Sequence, residues 1–396
     1  MRQPTRHPAL VLGDINLIRC LGRVGVPVTM AAADVRGSGA RSRYCQRAVP
    51  LPAEGGIQTT LQALMSVPWP EGATPALFYQ SDDDLLLVSR GRNVLARRYR
   101  FIVPPEPLVE DLVDKSRFLD LALRLDLPIP RTRVLRPGAD VAAQLAGWEV
   151  FPAILKQSVH ASGWDALLPP GSVAWAQKAI RVGTRHELDR LRPALDGHPG
   201  ELVLQETIEG GEERIVSFHA YVRPGGECVS WFTGRKVRTF PRAYGRSTCV
   251  DVTDEAPVRD LGFQVLERLT GFHGVLKMDF KEHPESGRLS LLEINPRFNL
   301  WHYPGAAAGA NLPALVYRDL YGLDWRLPTR ARPGVRWVWL DGDLRSYLEQ
   351  RRAGELSLGG WLRSLCARSV YQPFAWDDPM PMLTALWQPI ARRRSR

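Results

Sequence analysis

The sequence lacks the marks of several large protein classes. Its five cysteines, Cys20, Cys45, Cys228, Cys249 and Cys366, are scattered, odd in number and never spaced CxxC. That excludes a disulfide frame or a zinc knuckle and fits reduced, mostly buried thiols. The eight histidines form no HExxH and no other spacing of a metal cage. GxGxxG is absent, so dinucleotide binding is not supported. No apolar run approaches the roughly 18 residues of a membrane-spanning helix. The N-terminal apolar stretch is broken by Gly13, Asp14 and Asn16, which argues against a signal peptide and for a cytoplasmic protein. There is no internal repeat.

What is present is a chain of 396 residues, 44% hydrophobic and 24% charged, long enough for two or three domains. The net charge of +10 is partly terminal, since the chain ends ARRRSR. The other cations are spread without the aromatic interleaving of a single-strand binder, so small anionic ligands are expected and nucleic acid is not. ALVLG, a helical stretch and VPVTMAAAD give a β-α-β opening, and PALFYQ followed by SDDDLLLVSR repeats it. The cluster Ser81 to Asp84 reads as a helix N-cap rather than a metal site. Residues 1–108 form an N-terminal α/β domain closed by the proline cluster VPPEPL.

Residues 274–298 carry the chemistry. In GVLKMDFKEHPESGRLSLLEINPRF, two alternating runs flank a turn-rich connector. Glu293, Asn295 and Arg297 share one strand face. A turn centred on Ser286 sets Asp279 opposite Glu293 and Lys277 opposite Asn295, a like-charge pair that is destabilising unless a cation lies between. Magnesium suits such a gap, because it takes hard oxygen ligands from one or two carboxylates and completes its shell with phosphates and water. Two ions could be held there. The plainer reading is a surface hairpin neutralised by Lys277, Lys281 and Arg288.

LLEINPRFN, placed with its glutamate fourteen residues after the aspartate of KMDF, resembles the metal-binding hairpin of the ATP-grasp superfamily. DKSRFLDLALRLDLPIPRT resembles the helix that opens that family's ATP-binding region, ILKQ its strand with a nucleotide lysine, and LVLQETIEGGEER its hinge between two small sheets. The resemblance covers residues 110 to 325. It implies an α/β (α+β) protein: a Rossmann-like pre-ATP-grasp domain, then a two-lobed ATP-grasp fold over 109–325 with a small lobe at about 137–204 and a large one at about 205–325. A basic, tryptophan-rich, mostly helical extension would follow at 326–396.

The resemblance also implies roles. Asp279, Glu293 and Asn295 would hold two magnesium ions (manganese could substitute), and Lys156 with Lys115 would contact the phosphates of ATP. Gln205, Glu206 and the backbone at Ile208 would meet the adenine edge, and Glu212 or Glu213 would bind the ribose. Arg297 would steady the transferred phosphoryl group or the acceptor carboxylate. The implied reaction is ligation of a small-molecule carboxylate to an amine through an acyl phosphate, with ADP released. An ATP-grasp phosphotransferase or a non-catalytic nucleotide-binding protein are the alternatives. Such an intermediate needs a dry site, for which the loop from Ser158 to Gly171 could serve as a lid.

Two further stretches have open readings. In WFTGRKVRTFPRAYGRS, Lys236 and Arg238 would share a strand face and form an anion clamp, or belong to a solvated basic hairpin. His302 is either a base or a packed loop histidine. The tryptophans and arginines past residue 325 suit packing against the core, a partner surface, or peripheral contact with an anionic membrane.

Overall fold

The computed structural model describes residues 7–157, 167, 179–242 and 245–385. Its contacts divide the chain into two units. Unit 1 takes the chain up to Val109, Val216–Lys277 and Asn295 onward; unit 2 takes Glu110–Ile215 and Met278–Ile294.

Unit 1 opens with strands β1 (Ala9–Leu12), β2 (Val28–Ala32), β3 (Cys45–Pro50) and β4 (Ala76–Tyr79). They form a parallel sheet in the order β3-β2-β1-β4. The unbroken apolar runs of β1 and β4 are buried along their whole length, as strands covered on both faces must be. Helix Asp82–Arg90 starts as expected: Ser81 accepts from the Asp84 backbone and Asp84 returns the bond, a capping box with three aspartates in the first turn.

Unit 2 holds β5 (Thr132–Leu135), β6 (Ala153–Gln157), β7 (Ala179–Val182) and β8 (Leu202–Glu206). These pair antiparallel in the order β5-β8-β6-β7. Its core gathers Leu135, Trp148, Leu155, Val182, Leu188 and Leu204. The proposed lid, Ser158 to Gly171, lies outside the described residues except for Leu167.

A third sheet runs through β9 (Ile215–Val222), β10 (Cys228–Phe240), β11 (Arg246–Thr253), β12 (Gly274–Glu282), β13 (Leu289–Asn295), β14 (Arg336–Trp339) and β15 (Ser369–Gln372). Its order is β13-β12-β9-β10-β11-β14-β15. The polypeptide therefore passes from one sheet to another across Gly210–Gly211, between β8 and β9. The extension at 326–396 is mostly helical as expected, with helices Leu340–Arg352 and Leu358–Leu365, but RWVW and SVYQ add two short strands to the end of the sheet. Trp337 is 1% exposed and its indole donates to Asn16, while Arg336 forks onto Asp251 at 2.6 Å through both nitrogens. A bulky aromatic at alternate positions packs better on a pleated surface than on a short helix.

Candidate functional site

The cationic centre of unit 2 begins with β6. Ala153 and Leu155 are fully buried in the unit's core, which turns Lys156 to the other face of the strand. There its Nζ donates to Gln205 Oε1 at 2.9 Å, and Gln205 Nε2 donates to Thr132 Oγ1 at 2.9 Å. One chain of hydrogen bonds thus crosses three adjacent strands. Gln205 is 3% exposed, so its amide fixes the lysine rigidly without neutralising it. The Lys156 ammonium is held down from 10.5 to about 8, first by burial, then by repulsion from Lys115, with Glu293 acting in the opposite sense.

Lys115 is the first residue of helix Lys115–Arg124, whose N-cap Asp114 accepts from the Arg117 amide. A lysine at that position opposes the helix dipole, whose N-terminus is already positive. Two ammonium groups and a helix N-terminus together make an anion-attracting environment. The Glu293 carboxylate acts on Lys156 in the opposite sense to Lys115, so charges far apart in sequence influence one another here.

Glu206 ends β8. Its Oε2 accepts from the Arg131 amide at 3.0 Å and its Oε1 from Arg288 at 2.9 Å, so the hairpin turn is tied to the hinge strand. Ile208 is buried at 3% exposure. Glu212 and Glu213 lie on a single 3-10 turn, where Glu213 bends back to accept from the Gly211 amide at 3.2 Å. Arg214 approaches Glu282 at 3.7 Å.

The hairpin itself corrects the expected register. His283 N donates to Arg288 O at 2.9 Å and Gly287 N to His283 O at 3.0 Å, with Gly287 at φ 66°. Gly287 and Arg288 therefore both oppose His283, a bulge that needs a residue tolerant of positive φ. A turn centred on Ser286 would have set Leu289 there. This one-residue offset lies at the turn end of the hairpin, so the like-charge clash drawn from a turn centred on Ser286 is no longer the argument for this site. Asp279 is 3% exposed and Glu293 is exposed. Among the described residues no group of three or more His, Cys, Asp or Glu forms a preassembled metal cage.

Asn295 and Arg297 belong to unit 1. Arg297 Nη2 donates to Asn295 Oδ1 at 3.2 Å, and its guanidinium grips Asp82 at 2.5 and 3.2 Å and the Gln80 carbonyl at 3.0 Å. No sequence signal joins Asp82 to Arg297; in sequence Asp82 is simply part of an acidic helix start.

The basic run at 235–246 is corrected most strongly. A bulge between Lys236 and Arg238 in the pairing of β10 with β11 breaks the alternation that was to align them. Arg238, 6% exposed, forms a two-pronged pair with Asp343 at 2.8 Å in each arm, so it is a core ion pair rather than an anion clamp. Arg235 pairs with Glu255 and Arg242 with Glu355. Lys236 remains half-buried on the strand. His302 is fully buried, its Nδ1 meeting the Asn299 amide at 2.9 Å, and burial pushes its pKa down to about 3. It is a packed, neutral histidine.

No protein-family model matches the chain. It is 23% identical over 244 residues to a D-aspartate ligase of Enterococcus faecium (strain Aus0004), a match covering 59% of this chain and 55% of that one. The chain thus spans about half the length of that curated relative. Among solved structures, an N5-carboxyaminoimidazole ribonucleotide synthetase in complex with ADP aligns over 87% of this chain and 85% of its own, at TM-score 0.61 and 13% identity. An L-amino acid ligase from Bacillus licheniformis aligns over 81% and 75%, at TM-score 0.54 and 14% identity. The shared architecture is the ATP-grasp fold. Among the described residues no helix is long and apolar enough to cross a membrane.

Proposed function

We propose that this chain, an ATP-grasp protein by its fold, is an ATP-dependent ligase that activates a carboxylate as an acyl phosphate and joins it to an amine. The single observation that carries the reading is the gathering of Lys156, Lys115 and Glu293 beside the Gln205–Glu206 strand end. Phosphoryl transfer asks a protein for positioning and charge neutralisation, and this cluster supplies both.

Lys156 and Lys115 contact the phosphates in this proposal, with Gln205 aiming the former. The strand end from Gln205 to Ile208 meets the adenine, and Glu212 or Glu213 the ribose. Asp279 and Glu293, with Asn295 two residues further along the same strand, would hold magnesium; all three offer the hard oxygen donors that ion takes. When bound, magnesium neutralises the polyphosphate. Arg297 steadies the transferred phosphoryl group or the acceptor. A carboxylate oxygen attacks the γ-phosphorus and ADP leaves; the amine nitrogen then attacks the acyl carbon, loses a proton and expels phosphate. The D-aspartate and L-amino acid ligases among the similar proteins support an amino acid as one substrate.

The test is a screen of amino acids and amines for magnesium-dependent ADP release. Turnover requiring both a carboxylate and an amine is expected, with Glu293→Gln slower by about a hundredfold or more, the scale of one lost charge-stabilising group. ADP formation with no amine present, or a Glu293→Gln variant as fast as the wild type, would overturn the proposal.

A further inference from the structure

Apolar exposure in this protein is concentrated in one stretch of chain. Of the nine exposed large hydrophobic residues among those described, seven lie between Leu344 and Leu383. Four of them form two ridges. Leu344 and Leu348 are 44% and 41% exposed on helix Leu340–Arg352, and Leu358 and Leu362 are 49% and 48% exposed on helix Leu358–Leu365. Each pair has the i,i+4 spacing that places side chains one above the other.

These helices are fixed in place by other residues. Tyr347 stacks on Trp361 at 4.7 Å and 16°, and the Trp361 indole donates to Asp343 at 2.8 Å. The inward face of the first helix is thus satisfied by Asp343, Ser346 and Tyr347, all buried. The leucine ridges take no part in that stack or hydrogen bond. Four half-exposed leucines on two helices joined by the Tyr347–Trp361 stack are more than the singly scattered apolar residues a surface ordinarily carries.

The charges beside the ridges decide what it meets. Every carboxylate from residue 340 to 385 already has a partner. Asp341 pairs with Arg345, Asp343 with Arg238, Glu355 with Arg242, Asp377 with Arg23 and Asp378 with Arg19, while Glu349 accepts from the Arg242 amide. The cations are not matched in the same way. Arg352, Arg363 and Arg368 are exposed and have no carboxylate partner among the described residues, and Arg351 donates only to the Tyr347 hydroxyl. Arg352 continues the ridge of Leu344 and Leu348 at the next i+4 position, and Arg363 follows Leu362 directly. The sequence from 379 onward adds four arginines and no acid.

We infer that this helix pair is a peripheral docking surface for an anionic lipid bilayer. Leucine ridges enter the boundary between headgroups and acyl chains, and uncompensated arginines meet the lipid phosphates. Trp376, 90% exposed, belongs to the same stretch and is a residue type suited to that boundary. The inference is independent of the ligase reading.

The experiment is co-sedimentation of the full chain with vesicles. One set is an equimolar mixture of phosphatidylglycerol and phosphatidylcholine, the other phosphatidylcholine alone. Sedimentation with the first set and not the second is expected. The double variant Leu358→Ser/Leu362→Ser, which keeps every arginine, should bind on the order of tenfold more weakly, as losing two half-exposed leucines predicts. Arg352→Glu/Arg363→Glu should lose the preference for anionic vesicles, and it keeps the test decisive if the serine variant unfolds in a thermal melt. Absence of sedimentation, or undiminished binding by the serine variant, which would assign attraction to the arginine-rich end alone, overturns the inference. So does a concentration-dependent dimer that the serine variant abolishes, since the ridges would then face a second copy.

Discussion

Lys156 in unit 2 and Arg238 in unit 1 are both strand cations withdrawn from water, yet their surroundings differ in kind. Arg238 is closed by a carboxylate on two prongs, with Thr248 and Trp361 completing the shell of Asp343. Lys156 is held by a neutral amide, and repulsion from Lys115 acts on it more strongly than attraction to Glu293. The first arrangement satisfies the charge within the fold. The second keeps a charge in place that the fold offsets only in part, through Glu293, which is how a site is prepared for an anion that arrives later. Of two cations placed on strands by the sequence, partner chemistry shows which one serves structure.

Breaking the closed pair should have the larger effect. Asp343→Ala leaves Arg238 buried without its carboxylate, and a loss of about 3–5 kcal/mol in chemical denaturation is expected. Affinity for ATP, measured on the folded fraction, should stay near that of the wild type. A variant no less stable than the wild type would mean that the pair is not what holds helix Leu340–Arg352 to the sheet.

A smaller effect sharpens the other side. The folded pKa of Lys156, about 8, lies below its ordinary 10.5, so between those values the unfolded chain binds more protons than the folded one. Stability contributed by this group therefore rises as pH rises through that window. Lys156→Met removes the buried charge, so the variant should be the more stable protein near pH 7.5, with the gap closing toward pH 10.5 in paired denaturation curves. A gap independent of pH would show that Lys156 titrates normally.

Much of the fold was legible because it rests on local signals. Alternation, continuous apolar runs and the Ser81 cap gave the parallel sheet and its helices. The hinge was visible as Gly210–Gly211 between two strands. Long-range partners were not. Nothing near Arg238 in sequence announces Asp343, nothing near Arg297 announces Asp82, and a single glycine, Gly287, shifts the turn end of the hairpin by one residue. RWVW forms a strand inside an extension expected to be mostly helical. At the candidate site, residue types were readable from the family resemblance, whereas the Gln205 bond to Lys156 and the Arg288 bond to Glu206 exist only once strands are paired.

Titration calorimetry of magnesium–ATP against the wild type and Lys156→Met tests the central claim most directly. If the Lys156 ammonium is kept for nucleotide phosphates, the variant should bind on the order of a hundredfold more weakly, the scale of a lost charge-assisted hydrogen bond, while remaining at least as stable near neutral pH. Equal affinity in the two proteins would contradict the account.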